Sequence, residues 1–419
     1  MSAPHATPTT GGHDALAGAR DALRQVLPPE LGLLVSRGRP AELDRFAAAA
    51  DWGLAIAAGK QHRLLGHLAA TVDEADLGRY VPPSELATLR REPPRRRRWF
   101  DQRVLPQLAE LAEAFGRAGT IPVLLKGAAL VGAGTVPAGE RPMGDLDVLV
   151  RADEVATASA VLHDLGYRDR VSTTQRRWAR EHHYQDPPRY HPDRPLTVEL
   201  HWDLQTARHR LAFDPASLHT VELTLPGGHR VRRLDDVDQL THLCLHFWRD
   251  RRAGTGPPLG QLWDVHRAAA TLTPAQWATL RSRAVARGHL EVVAAVLACD
   301  LLLLPHVPTT RLVEADAIAG DPRLEAFVRQ RVLAGRPAAV QLIAVTDEVA
   351  SSPYRMLTRV LAELRRPYAR LVPLHGDGPG WRLRLRHARR VGGLVGELLR
   401  SPRTSWAEIR LDRWAHGLQ

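Results

Sequence analysis

Cysteine and long apolar runs are nearly absent from this chain of 419 residues. Its two cysteines, Cys244 and Cys299, lie far apart in segments with helical periodicity, which excludes a disulfide framework and a zinc knuckle. We expect both to be reduced and buried. The longest apolar stretch, VVAAVLACDLLLL, contains Asp300 and is too short to span a bilayer. The N-terminus lacks the basic-then-apolar pattern of a signal peptide, so we expect a cytoplasmic protein.

Lysine is also scarce, although the chain is basic. Only Lys60 and Lys126 occur among 57 lysines and arginines, and the formal net charge is +11. Such a charge favours anionic partners. Arginine and alanine enrichment is expected from a GC-rich coding sequence, and this composition bias explains the charge better than an anionic partner does.

The spacing of apolar residues and prolines divides the chain into four regions. Residues 1–13 are polar and rich in Pro, Gly and Thr, and are predicted to be a disordered tail. Residues 14–94 show helical periodicity, residues 95–215 mix strand and helix patterns, and residues 216–419 are predicted to be helical again. The predicted fold is α+β, with a small mixed β-sheet core flanked by N-terminal and C-terminal helical regions.

Three strands are predicted in the core. The run IPVLL at 121–125 ends at Lys126 and is followed by a glycine-rich loop, and DLDVLVR at 145–151 is the second strand. A helix is predicted over 153–167. The alternating run LTVELHWDL at 196–204 gives the third strand.

Carboxylates on two of these strands indicate a metal site. Asp145 and Asp147 are two residues apart, so their side chains point to the same side of the strand. Glu199, with His201 two residues further on, is the natural third acid on a neighbouring strand. Oxygen-only ligation suits Mg²⁺, and three acids complete a two-ion site of the kind used in phosphoryl and nucleotidyl transfer.

Two basic residues near these acids could bind phosphate. The compact ammonium of Lys126, on its flexible stem, can adjust its position to the oxygens of a triphosphate more freely than a planar guanidinium can. Gly127 allows the backbone to approach phosphate oxygens closely. Arg141 could bind phosphate or anchor its loop.

Structural alternatives remain open for these residues and for several others. An Asp-x-Asp pair can simply solvate a strand end, and His201 can be a hydrogen-bonded structural residue. The helical residues His246 and Asp264 are expected to make buried polar contacts. The spacing of three further histidines fits no standard zinc pattern; they are His182, His183 and His191.

The segments LLKGAAL, RPMGDLDVLV, LGY and VELHW together resemble the poorly characterised bacterial nucleotidyltransferase-like family, within the DNA polymerase beta-type nucleotidyltransferase superfamily. The resemblance runs from about Asp51 to at least Arg267. It implies a mixed sheet bearing three carboxylates, two Mg²⁺ ions and an incoming nucleoside triphosphate, ATP in the first instance.

Residue by residue, Asp145 and Asp147 match the metal-binding pair of that superfamily. Glu199 matches the third acid, which would hold the second metal and help to deprotonate the attacking hydroxyl. Lys126 and Gly127 match the phosphate-side loop. The wider superfamily has Gly-Gly or Gly-Ser in this loop, whereas this chain has Gly127 followed by Ala128. The missing serine hydroxyl leaves room for a different phosphorylated donor.

The resemblance implies a Mg²⁺-dependent nucleotidyltransferase that moves a nucleoside monophosphate from an NTP to a small-molecule, peptide or protein acceptor. The acceptor is expected between the core and the C-terminal helices. One alternative is an RNA-directed enzyme, either tRNA-modifying or toxin-like, favoured by the arginine-rich segment WRLRLRHARR but not by the scarcity of interleaved aromatic residues for base stacking. Another is a non-catalytic nucleotide-binding protein of the same fold.

Overall fold

The computed structural model describes residues 10–171, 173–204, 215–250, 258–305, 312–333, 380–400 and 414. Most of the predicted N-terminal tail lies outside these residues. Within the described part, the predicted α+β architecture is confirmed: one five-stranded mixed sheet is flanked by helices that precede and follow it.

Seventeen α-helices, α1 to α17, are found in the described residues. In chain order they are Thr10–Gln25, Pro29–Val35, Pro40–Ala49, Trp52–Gln61, Leu65–Glu74, Pro83–Trp99, Leu105–Arg117, Lys126–Gly132, Val155–Asp164, Thr173–His182, Asp236–Asp250, Leu259–Ala270, Pro274–Ala286, Leu290–Leu303, Val313–Ala319, Pro322–Phe327 and Gly380–Arg400.

The five strands form one sheet in the order β3-β2-β1-β5-β4. Antiparallel pairs join β1 to β2 and β4 to β5, while β2–β3 and β1–β5 are parallel. The strand bounds are Val123–Leu124, Asp145–Leu149, Thr197–His201, Thr220–Thr224 and Arg230–Leu234 for β1 to β5.

Strands β4 and β5 correct the expectation that the chain is wholly helical from residue 216. Their sequences, TVELT and RVRRL, place only Val231 and Leu234 fully in the core, so the apolar alternation that marks a strand is weak. Because β5 pairs directly with β1, the sheet extends beyond residue 215.

The segment after Lys126 also differs from its prediction. A short helix, α8, begins there instead of a glycine-rich loop. Lys126 itself has φ +46°, in the left-handed region that residues with a Cβ rarely adopt. This conformation turns the chain sharply out of β1 and keeps Lys126 beside β2.

The two faces of β2 and β3 have different chemistry. Side chains alternate across a strand, and Leu146, Val148, Val198 and Leu200 on one face are no more than 1% exposed. Helix α9 packs against β3, and α7 packs against α9. The opposite face carries the acids, so the apolar face fixes the orientation of the polar one.

The helices before and after the sheet pack on one another in a continuous apolar core. Helix α1 contacts α14, and the indole Nε1 of Trp263 donates to the carbonyl of Leu34 at 2.9 Å. Cys244 and Cys299 are buried free thiols in this core, as expected. Among the described residues, none of the helices has the length and apolarity needed to cross a membrane.

Candidate functional site

A polar cavity of about 460 Å³ opens on the acidic face of the sheet. Its walls come from the turn after α4, the start of α8, the loop before β2, strands β2 and β3, and helices α11 and α12. All seven residues predicted for the site lie in or beside it: Lys126, Gly127, Arg141, Asp145, Asp147 and Glu199 line the cavity, and His201 bonds to Asp147 from behind.

Asp147 and Glu199 lie directly opposite each other on parallel strands. His201 is 1% exposed, and its Nε2 lies 2.9 Å from Asp147 Oδ1. One ligand atom from each of Asp147, Glu199 and His201 falls within 4.8 Å of the others. The sheet register therefore brings the residues predicted on separate strands into one cluster.

Lys126 neutralises this cluster. Its Nζ donates to Asp147 Oδ1 at 2.6 Å, and the two side chains are 14% and 4% exposed. The left-handed backbone at Lys126 and the hydrogen bond from Leu125 N to the Asp147 carbonyl, 3.0 Å long, hold the lysine in this position.

The two buried acids of the cluster ionise very differently. Burial opposes ionisation of Asp147, but the Lys126 ammonium and His201 hold its pKa well below the usual range. Burial raises the pKa of Glu199 to about 7, and the negative charge of Asp147 adds to this. Asp147 is therefore a permanent carboxylate, whereas Glu199 can take up or release a proton near neutral pH.

His201 acts on Asp147 as a neutral imidazole. Burial lowers the pKa of His201, so its Nε2–H donates to the carboxylate. The buried Nδ1 has no hydrogen-bond partner among the described residues. Glu199 is oriented separately, since Gln185 Nε2 donates to Glu199 Oε2 at 2.7 Å.

Asp145 is more open than Asp147. It begins β2 on the same face, two residues before Asp147, and is exposed at the cavity mouth. Burial and the charge of Asp147 raise the pKa of Asp145, while Lys126, Arg141 and Arg63 act in the opposite direction. Bringing a cation between the two aspartates would relieve their repulsion.

Arg141 anchors its loop through Asp264 on α12. The Arg141 Nε lies 2.9–3.0 Å from both carboxylate oxygens of Asp264, and Nη2 lies 2.9 Å from Oδ2. The guanidinium also fills the space over Gly127, because a Cβ built there would lie 2.8 Å from Arg141 Cζ. A side chain at 127 would therefore displace the Arg141 guanidinium from its position beside Asp264.

The far wall of the cavity is a hydrogen-bonded row on α11 and α12. Arg249 donates to the Tyr184 hydroxyl and to His246 Nδ1, while Gln261 Nε2 donates to Asp250 Oδ2 at 2.8 Å. Burial holds the pKa of His246 well below its usual range, so His246 is a neutral link in this row.

Sequence reasoning missed several residues of the cavity wall. Arg63, Tyr184, Gln185, Arg249 and Gln261 all line it. They come from helix ends and irregular segments, where neither spacing nor residue type separates them from ordinary surface residues. Gln185, which precedes β3 by twelve residues, is recognisable only from its contact with Glu199.

The donor set fits a hard divalent cation. Asp147, Glu199 and Asp145 offer carboxylate oxygens on one face of the sheet, and Mg²⁺ is bound through such oxygens. A second trio, His219, Asp235 and Asp238, does not fit: the guanidiniums of Arg283 and Arg287 already bond to its aspartates.

Comparisons with known proteins point to one family. A search of curated proteins found no match, and a search of solved structures found none. The model of a family described as uncharacterised nucleotidyltransferase matches residues 48–304. That span is well over half of the 419 residues and contains the whole sheet, α11 and α12. The chain therefore belongs to this family of uncharacterised nucleotidyltransferases.

Proposed function

We propose that this protein is a Mg²⁺-dependent nucleotidyltransferase that moves a nucleoside monophosphate from an NTP, with ATP as the first candidate, to a small-molecule, peptide or protein acceptor. The observation that carries the proposal is the in-register pair Asp147 and Glu199, with Asp145 beside it, in a cavity that also holds four basic side chains. Family membership supports the same class of reaction.

Asp145, Asp147 and Glu199 would hold the magnesium. Bound Mg²⁺ supplies charge neutralisation at the transferring phosphoryl group and its leaving pyrophosphate. Lys126 adds positive charge beside the same carboxylates for phosphate oxygens, in the way that P-loop lysines act as point charges.

Glu199 is suited to the proton transfer. Burial and the charge of Asp147 raise the pKa of Glu199 to about 7 in the metal-free site, and a bound cation would lower it again, so that Glu199 would be a carboxylate able to accept a proton. The hydrogen bond from Gln185 fixes the carboxylate so that its other oxygen can accept the proton of an acceptor hydroxyl.

The test is calorimetry of Mg²⁺ with each of the four NTPs on the intact chain and on Asp145→Asn and Asp147→Asn. We expect binding that requires Mg²⁺ and weakens at least about tenfold in both variants, since each removes a charged ligand. Asp76→Asn is the matched control: Asp76 is an exposed aspartate in a left-handed turn, a conformation that asparagine tolerates.

Two radiolabels then distinguish the transferred group. Label on the α-phosphate that appears on an acceptor indicates nucleotidyl transfer, whereas transferred γ-label indicates phosphoryl transfer. Unchanged Mg²⁺–NTP affinity in a folded Asp147→Asn protein would place nucleotide binding outside this cavity and contradict the proposal.

A further inference from the structure

Arg63, in the cavity wall, has an unusual left-handed backbone conformation. It lies in the turn between α4 and α5 with φ +60°, which is unfavourable for any residue with a Cβ. Three non-glycine residues of the described chain have positive φ: Arg63, Lys126 and Asp76. The first two are cations that line the cavity, and Asp76 does not line it.

Contacts with the first turn of α12 impose this conformation. The His62 carbonyl accepts from Gly260 N at 2.9 Å, and His62 Nδ1 accepts from Leu259 N at 3.3 Å. A Cβ at Gly260 would lie 2.8 Å from the His62 carbonyl oxygen, so only glycine permits this approach. Strain of this kind persists where the surroundings fix it, and such positions cluster at functional sites.

The Arg63 side chain differs from the other cations of the cavity. Lys126 is paired with Asp147 and Arg141 with Asp264. Arg249 bonds to Tyr184 and lies 3.3 Å from Asp250. Arg63 is exposed, and its guanidinium makes no hydrogen bond or ion pair with the described residues, although its charge reaches Asp145. Its backbone is held in place, and its guanidinium is a cation without a bonded partner at the cavity mouth.

We propose that Arg63 binds the terminal phosphates of the donor's polyphosphate chain and thereby selects a triphosphate over a monophosphate. This inference rests on the proposed function and adds the subsite that recognises the leaving pyrophosphate. A guanidinium suits this task because its planar donors match phosphate oxygens in pairs. Lys126, beside the carboxylates, and Arg63, at the cavity mouth, would then contact successive phosphates of the polyphosphate chain.

The experiment compares dissociation constants of ATP, ADP and AMP, each with Mg²⁺, for the intact chain, Arg63→Gln and Lys60→Gln. We expect Arg63→Gln to bind ATP about 10- to 100-fold more weakly, the usual size of a hydrogen bond between charged groups, and AMP within about twofold of the intact chain. Lys60 is the matched control, because it is an exposed cation on the same helix end and does not line the cavity.

A second variant, Arg63→Gly, separates binding from folding. Glycine adopts φ +60° without strain, so its melting temperature should be unchanged or higher while the preference for ATP over AMP is lost. A role in stabilising the turn would instead lower the melting temperature of both variants.

An ATP-to-AMP affinity ratio that stays the same in folded Arg63→Gln would overturn this inference and leave the proposed function standing. That result would also follow if Arg63 bound an anionic acceptor. If the intact chain binds no nucleotide with Mg²⁺, the proposed function fails, and this inference fails with it.

Discussion

Lys126 and Asp147 form an ion pair that water barely reaches, 2.6 Å long. In such a pair, the removal of one partner leaves the other charge buried and uncompensated. The compact ammonium of lysine meets the single oxygen Asp147 Oδ1 as a point charge, which is consistent with the use of one of only two lysines here.

A double-mutant cycle tests this pair. We expect Lys126→Met to lower the free energy of unfolding by about 3 kcal/mol, because it leaves Asp147 charged and buried. Adding Asp147→Asn should restore much of that loss, because the uncompensated charge disappears. Urea denaturation of both single variants and of the double variant measures the coupling, and additive losses would contradict a direct interaction.

At the scale of elements, the loop before β2 is held from the side opposite the cavity. Arg37 Nη1 donates to Glu140 Oε2 at 2.7 Å, and Arg267 donates to the same oxygen. Burial opposes ionisation of Glu140, but His67, Arg37 and Arg267 hold its pKa well below the usual range. Glu140 precedes Arg141, so this cluster fixes the loop that carries Arg141 to Asp264.

Helix α5 also fixes this loop by close packing. A Cβ at Gly66 would lie 2.7 Å from the Glu140 Cα, and backbone cannot give way as a side chain can. Gly66→Ala should therefore cost about 1–3 kcal/mol of stability and weaken Mg²⁺–NTP binding by shifting Arg141 and Asp145. Chemical denaturation and calorimetry measure the two effects.

Gly18→Ala provides the control for this prediction. Gly18 lies within α1 with no atom near its Cβ position, so alanine should stabilise the protein by about 0.5–1 kcal/mol. A neutral effect of Gly66→Ala would mean that the loop is free to move away from α5.

Elements with strong apolar periodicity were predictable, and the others were not. Strands β2 and β3 follow from runs such as DLDVLV, because their side chains alternate between core and cavity, and β1 follows from the apolar run IPVLL. The prediction missed β5, since three of its five residues are arginines and its pairing with β1 is set by tertiary contacts across more than a hundred residues. The domain bounds remain a prediction, except that the sheet continues beyond residue 215.

At the scale of the whole molecule, His62 joins the N-terminal helices to α12, which follows the sheet in the sequence. Its Nδ1 accepts from Leu259 N, 197 residues along the chain. Burial lowers the pKa of His62 to about 4, from 6.5. Between pH 6.5 and pH 4, His62 is therefore protonated in the unfolded chain but neutral in the folded protein. The stability contributed by His62 is complete above pH 6.5 and declines as the pH falls towards 4.

We predict that His62→Asn reduces the pH dependence of stability. Asparagine keeps an acceptor for Leu259 N but does not titrate. Between pH 7 and pH 5, the intact chain should lose about 2 kcal/mol more of its free energy of unfolding than the variant does. Urea denaturation at both pH values measures this difference. His163→Asn, at an exposed histidine, should leave the loss unchanged, and an equal loss in His62→Asn would refute the assignment.

The site was predictable where its residues lie on the strands or in the segments directly next to them in the sequence, as Lys126, Gly127 and Arg141 do. The family resemblance drawn from LLKGAAL and RPMGDLDVLV is confirmed by the family match, and the predicted acids converge because β2 and β3 are in register. The roles of these residues remain predictions. Arg63 and Arg249 could not be found from the sequence, since the packing of distant helices brings them to the cavity.

The position of β5 between β1 and β4 has a practical consequence for anyone dividing this protein. A fragment that ends at residue 215 would keep the three acids, but it would expose the backbone donors and acceptors of β1 that β5 pairs with. An open strand edge of this kind recruits other chains. Such a fragment should therefore self-associate, and soluble expression should require an end point beyond Leu234 at the least.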